Sequence, residues 1–224
     1  MKEIYIERFG ENERRKGIFL FIFYVIVIVF GGEILQIVGN RYLADNATFV
    51  WYCILSIIIL TFFGSTLRES ALNIKKRLLK NFVYLLVIGF TTLIFMIIAS
   101  ILINNFGIVN QNQVEVNYAL KNQRTLMLIA TCLLAPITEE FVYRYILFRS
   151  LRSYNIFLSH LITSLMFGFL HVWFYVIMDK NLLALFAMLP TFIIGLGCSI
   201  TYEKTKNILF PILLHMAINL MSSI

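Results

Sequence analysis

The sequence predicts an all-α fold, a polytopic transmembrane helix bundle of about seven spans with a cytoplasmic N-terminus. Three observations predict it. Hydrophobic residues make up 60% of the chain and charged residues only 14%, well outside the globular range. Apolar segments near twenty residues long recur along the chain, the length that crosses a hydrocarbon core of ~30 Å. Lysines and arginines gather in alternate connections between those segments, as the positive-inside rule requires.

Taken in order, the predicted spans are 17–38, 49–67, 82–104, 126–148, 156–177, 182–201 and 207–222. The first follows a basic segment but runs through Gly31-Gly32 to Val38 without a small-x-small cleavage site, so it reads as an uncleaved span rather than a signal peptide. One side of the membrane receives fourteen basic residues: Lys2, Arg8, Arg14, Arg15 and Lys16, then Arg68, Lys75, Lys76, Arg77 and Lys80, then Arg149 and Arg152, and finally Lys204 and Lys206. The other side receives four, Arg41, Lys121, Arg124 and Lys180. The richer side is expected to be cytoplasmic, which puts the C-terminus outside. The net charge of +7 is explained by this pattern and does not call for a nucleic-acid partner. Membrane lipid is the expected surrounding, in a multi-pass protein of a cell membrane. Cys53, Cys132 and Cys198 all fall within spans and read as small apolar residues rather than a disulfide framework.

The polar stretch between the third and fourth spans divides the chain into an N-terminal three-span region (1–104), an external polar loop (105–125) and a four-span region (126–224). The last region holds every unusual polar residue. Glu139, Glu140 and Arg144 lie inside the fourth span, where each charge costs roughly 2.5–3.5 kcal/mol on insertion scales. Glu140 and Arg144 share a helical face at i, i+4 and can pair. Glu139 points about 100° away with Tyr143 at its own i+4 position, as a general base requires. Pro136 lies just before the pair and can loosen the helix there. His171 closes the sequence Phe167-Gly168-Phe169-Leu170-His171 within the fifth span, and His215 and Asn219 share a face of the last. Taken singly, each has a bland reading: an ion-pair network, a core histidine, an Asn–His packing pair. By helical rise, Glu139, His215 and His171 lie roughly 14, 12 and 22 Å from the cytoplasmic ends of their spans, so one cavity open to the cytoplasm can collect them. A carboxylate, two imidazoles and an amide are suited to water attack on an amide carbonyl. His160, at a span end, reads as interfacial.

These residues form Glu139-Glu140-x-x-x-Arg144, Phe167-x-x-x-His171 and His215-x-x-x-Asn219, in that order on separate spans. The set resembles the CPBP intramembrane proteases, also called the Abi or type II CAAX-protease family. The flanks Ala135-Pro136-Ile137 and Asn207-Ile-Leu-Phe-Pro211 resemble it too, and the likeness covers roughly residues 125–224. The resemblance implies that Glu139, assisted by His171, activates water, that His215 and Asn219 stabilise the oxyanion, and that Glu140 pairs with Arg144. Tyr145 departs from the glycine that members often carry. The family is described as metalloproteases, and Glu139, His171 and His215 can supply three ligands to a zinc ion. The spacing is not HExxH, however, and the same residues can act on water without metal. The expected substrate is a membrane-associated peptide or protein near the cytoplasmic leaflet. Bacteriocin self-immunity and a non-enzymatic membrane scaffold or sensor are the alternatives.

Overall fold

The computed structural model describes residues 9–223 and is built from helices, with no strand among the described residues. Lys2, Arg8 and Ile224, which entered the sequence expectations, lie outside the described residues. Helix α1 spans Glu11–Ile37, a short α2 spans Arg41–Asp45, and α3 (Ala47–Asn73) is followed through the 3-10 turn Ile74–Arg77 by α4 (Leu78–Asn105). The apolar run Ala47–Asn105 therefore crosses twice, because Lys75, Lys76 and Arg77 occupy the turn and have no place in lipid. Next come α5 (Gln111–Asn122), the long α6 (Arg124–Arg152), α7 (Ile156–Leu170), α8 (Trp173–Ile177), α9 (Ala184–Ala187), α10 (Leu189–Thr205) and α11 (Leu209–Ser222).

Apolar length matches the helical-bundle expectation. Glu11–Ile37, Ala47–Asn105, Arg124–Arg152 and Ala184–Thr205 are long enough to cross a membrane, and Ile156–Leu170 and Leu209–Ser222 are shorter apolar helices. The chain is a multi-pass membrane protein. Three boundaries differ from the sequence reading. The polar segment expected to be a loop contains α5: Asn110 caps it by accepting a hydrogen bond from the Gln113 backbone N–H at 3.2 Å, and no Gly or Pro interrupts 111–122. The fifth span ends at Leu170, seven residues early, where the His171 N–H turns back to the Gly168 carbonyl. The sixth breaks at Met188, and α10 restarts with Pro190 in its first turn.

Helix α6 lies at the centre. Its residues Phe141–Ile146 are buried all round, with α1, α7 and α10 against it. Tyr145 ties α1 and α3 to it: its hydroxyl donates to the Glu13 carboxylate of α1 and lies 3.3 Å from Thr66 Oγ1 of α3. Arg149 lies against the ring of Phe9, 4.3 Å from its centroid, and 3.2 Å from Glu13. His160 is not simply interfacial. Its Nδ1 lies 2.8 Å from Ser199 Oγ, and its ring packs on Phe148, joining α7 to α10 and α6.

In lipid, helix association depends on close backbone approach rather than on hydrophobic expulsion. Helices α4 and α10 meet where Gly197 faces Thr92, and a Cβ on Gly197 would sit 2.2 Å from Thr92 Oγ1. Gly197→Ala is therefore expected to lower the thermal unfolding midpoint in detergent, in line with the ~1–3 kcal/mol typical of overpacking. Adding Thr92→Ala, which removes the two nearest atoms, should recover most of that loss.

Candidate active site

Pro136 sets the local geometry of α6. The helix widens to five-residue hydrogen bonding at Ala130–Leu134, where the Ala135 N–H bonds the Ala130 carbonyl. The next bond in that register would run from residue 136 to the Thr131 carbonyl, and proline has no N–H to give. Asn219 of α11 fills the gap, its Nδ2 donating to the Thr131 carbonyl at 2.8 Å. A second wide stretch runs over Phe141–Phe148. The turn between them, Ala135–Glu140, carries both glutamates. Such π-bulges concentrate at functional sites because they re-aim the side chains that follow.

Glu139, Glu140, Arg144 and His215 converge in one buried cluster, exposed by 4%, 0%, 0% and 3% respectively. Arg144 lies on Glu140, with Nε 2.9 Å from Oε2 and Nη2 donating to Oε1 at 3.3 Å. The guanidinium also sits 5.3 Å from the Phe167 ring centroid and 5.8 Å from that of Tyr143, within cation–π range. His215 reaches the same glutamate from α11, with Nδ1 donating to Glu140 Oε1 at 3.1 Å. Its other nitrogen, Nε2, stands 3.8 Å from Glu139 Oε2. One imidazole thus spans both carboxylates.

The two glutamates differ in what they face. Glu139 lines both cavities at this end of the bundle, and Glu140 lines neither. The smaller cavity, about 340 Å³, lies between α1, α3 and His171. The larger, about 800 Å³, is lined by α4, α5, α6, α10 and α11 and includes His171, His215 and Asn219. His171 caps the C-terminal end of α7, where its Nδ1 donates to the Phe167 carbonyl at 2.7 Å. That bond fixes the tautomer and leaves Nε2 as the free ring nitrogen.

Two side chains at the site were missed in the sequence. The Tyr52 hydroxyl of α3 donates to Glu139 Oε1, and Tyr24 of α1 lines the smaller cavity and packs edge-on to Tyr143, 5.8 Å between centroids. Both come from the N-terminal region, which sequence resemblance treated as plain apolar helix. The available signal was a tyrosine placed at depth within a span.

Two sequence expectations change. The cavities lie toward the end of the bundle opposite the basic turn, since their lining includes Asn104, Asn110 and Asn112. The metal-capable group also differs. Among the described residues, Glu140, Cys198 and His215 bring their ligand atoms within 4.8 Å of one another, whereas the set Glu139, His171 and His215 does not close to that distance. By distance alone the first group could share an ion. Its chemistry does not suit a catalytic one, because Arg144 already neutralises Glu140 and neither Glu140 nor Cys198 faces a cavity.

The arrangement coincides with a region of known kinship. Residues 121–221 match the family described as type II CAAX prenyl endopeptidase Rce1-like. Over this region the chain is similar to that family. The Rce1-like segment thus contains α6 with both glutamates, the end of α7 with His171, and α11 with His215 and Asn219. A Bacillus subtilis (strain 168) protein named "Putative membrane peptidase YdiL" is 35% identical over 95 residues, 42% of this chain and 34% of that protein. An Escherichia coli "Uncharacterized 24.3 kDa protein" is 36% identical over 94 residues, 41% of this chain and 40% of its own length. The matches thus cover less than half the length of these curated relatives. No solved structure matches.

The Asn219 bond gives a direct check on the bulge. Asn219→Ala strands the Thr131 carbonyl, and loss of such a partner costs ~1–3 kcal/mol. Thermal unfolding in detergent should show that loss, and activity should fall with it because the glutamates sit on the next turn.

Proposed function

We propose that the chain is an intramembrane endopeptidase that hydrolyses an amide bond of a membrane-associated peptide or protein with water activated at Glu139. The observation that carries this reading is the division of labour between adjacent glutamates: Glu139 faces the cavities while Glu140 is held by Arg144 and His215. The kinship of residues 121–221 supports the same class of chemistry.

Water in the cavity gives a proton to Glu139 as its oxygen attacks the substrate carbonyl. Tyr52 donates to Oε1, which orients the carboxylate and leaves Oε2 toward His215. The free Nε2 of His171 accepts the second hydrogen of the water and sets its direction. The tetrahedral oxyanion is stabilised by Nε2 of His215 when that nitrogen carries a proton. Collapse expels the amine, which takes the proton held by Glu139, and a carboxylic acid that keeps the second hydrogen of the water leaves with it. Asn219 acts as a positioning residue for α6, since its amide is engaged with the Thr131 carbonyl. No step is assigned to a metal ion, because two of the three donors in the group that closes to metal-binding distance, Glu140 and Cys198, line neither cavity.

Glu139→Gln keeps size and hydrogen bonding and removes the base. Turnover of a processed membrane peptide in cells should fall about 10²–10⁴-fold at normal protein abundance. Full processing by that variant would defeat the proteolytic reading and leave self-immunity or scaffolding without catalysis. Tyr52→Phe should give a smaller fall in kcat, of about tenfold or less, with abundance unchanged.

A further inference from the structure

The larger cavity is lined at its mouth by Ile103 and Asn104 at the end of α4, by Asn112, Gln113 and Asn117 of α5, and by Ser223 after α11. All six belong to the end of the bundle opposite the Ile74–Arg77 turn, Arg152 and Lys206. Among the described residues that end carries Arg41, Lys121, Arg124 and Lys180, against twelve basic residues at the other. A cavity mouth at the base-poor end of a membrane bundle faces away from the cytoplasm. The lining is rich in side-chain amides and hydroxyls, which pair with a peptide backbone in both donor and acceptor senses. Neither cavity is lined by a lysine or arginine.

We propose that the site takes its substrate from the extracytoplasmic side, as a peptide segment that passes beneath α5 to Glu139. The inference rests on the proteolytic reading for its substrate, while the side of access rests on the fold and the charge distribution. It replaces the cytoplasmic access expected from depth along the spans. An exported peptide, or the external flank of a membrane protein, fits this route; a segment confined to the cytoplasmic leaflet does not reach it.

Three cysteine variants of the full chain test it in membranes, with the native cysteines of the unaltered protein as background. Asn117→Cys places a thiol on the exposed rim of α5, and Ser100→Cys places one on the cavity wall within α4. A membrane-impermeant sulfonated maleimide added to intact cells should modify Asn117→Cys, and should modify Lys76→Cys in the basic turn only after permeabilisation. A charged methanethiosulfonate should react with Ser100→Cys at least tenfold faster from outside than in inside-out vesicles. The reverse pattern at Asn117 and Lys76 would overturn the orientation. Reaction of Ser100→Cys that is faster from the inside, or absent from both sides, would overturn the route. Both readouts are independent of turnover, so a failure of Glu139→Gln to abolish processing would sink the proteolytic reading while leaving these results distinct.

Discussion

A fully buried arginine with its carboxylate partner constrains the rest of this molecule. Arg144 and Glu140 have no exposed surface, and an isolated charge at that depth would cost several kcal/mol even after relaxation. The pair is tolerable because α11 delivers His215 to the same carboxylate and because Phe167 and Tyr143 offer ring faces to the guanidinium. The positions of α7 and α11 relative to α6 follow from that requirement. Once they are fixed, the neighbouring Glu139 sits at the edge of that cluster, 3.8 Å from His215, and turns to the cavities, where Tyr52 meets it.

The backbone of α6 carries a second constraint. A proline one turn before the glutamates removes a donor, the helix widens, and the carbonyl left over is met by a side chain from the last helix. Asn219 and His215, four residues apart on α11, therefore serve the same purpose from two directions. One holds the backbone that carries the glutamates, and the other holds one of their side chains. Tyr145 and Arg149 continue the argument at the opposite end of α6, where they bind the start of α1. The N-terminal helices are thereby brought to the site and supply Tyr24 and Tyr52.

Much of this was legible in the sequence. Span number and order followed from apolar length, and charges inside apolar runs marked the polar cluster. The pairing of Glu140 with Arg144 followed from i, i+4 spacing. What was not legible has physical reasons. Helices in lipid are apolar on most faces, so their pattern does not say which face turns inward, and the contact from Tyr52 to Glu139, 87 positions away, left no local trace. The bulges are register changes that Pro136 hints at but does not place. Helix α5 was hidden by its polarity, since a polar segment reads as loop when amphipathicity is weak. His171 was placed mid-span because the apolar run continues past the point where α7 ends. Cys198 looked inert because its neighbours Glu140 and His215 come from other helices.

The central claim is that adjacent glutamates do different work: Glu140 holds the bundle together and Glu139 serves the cavity. The most direct measurement is the thermal unfolding of Glu140→Gln against Glu139→Gln, purified in the same detergent. Removing Glu140 leaves Arg144 buried without its counter-charge, a loss of roughly 3–5 kcal/mol. The account predicts a large drop in unfolding midpoint for Glu140→Gln and a midpoint close to that of the unaltered protein for Glu139→Gln. Equal midpoints, or a larger drop for Glu139→Gln, would contradict it.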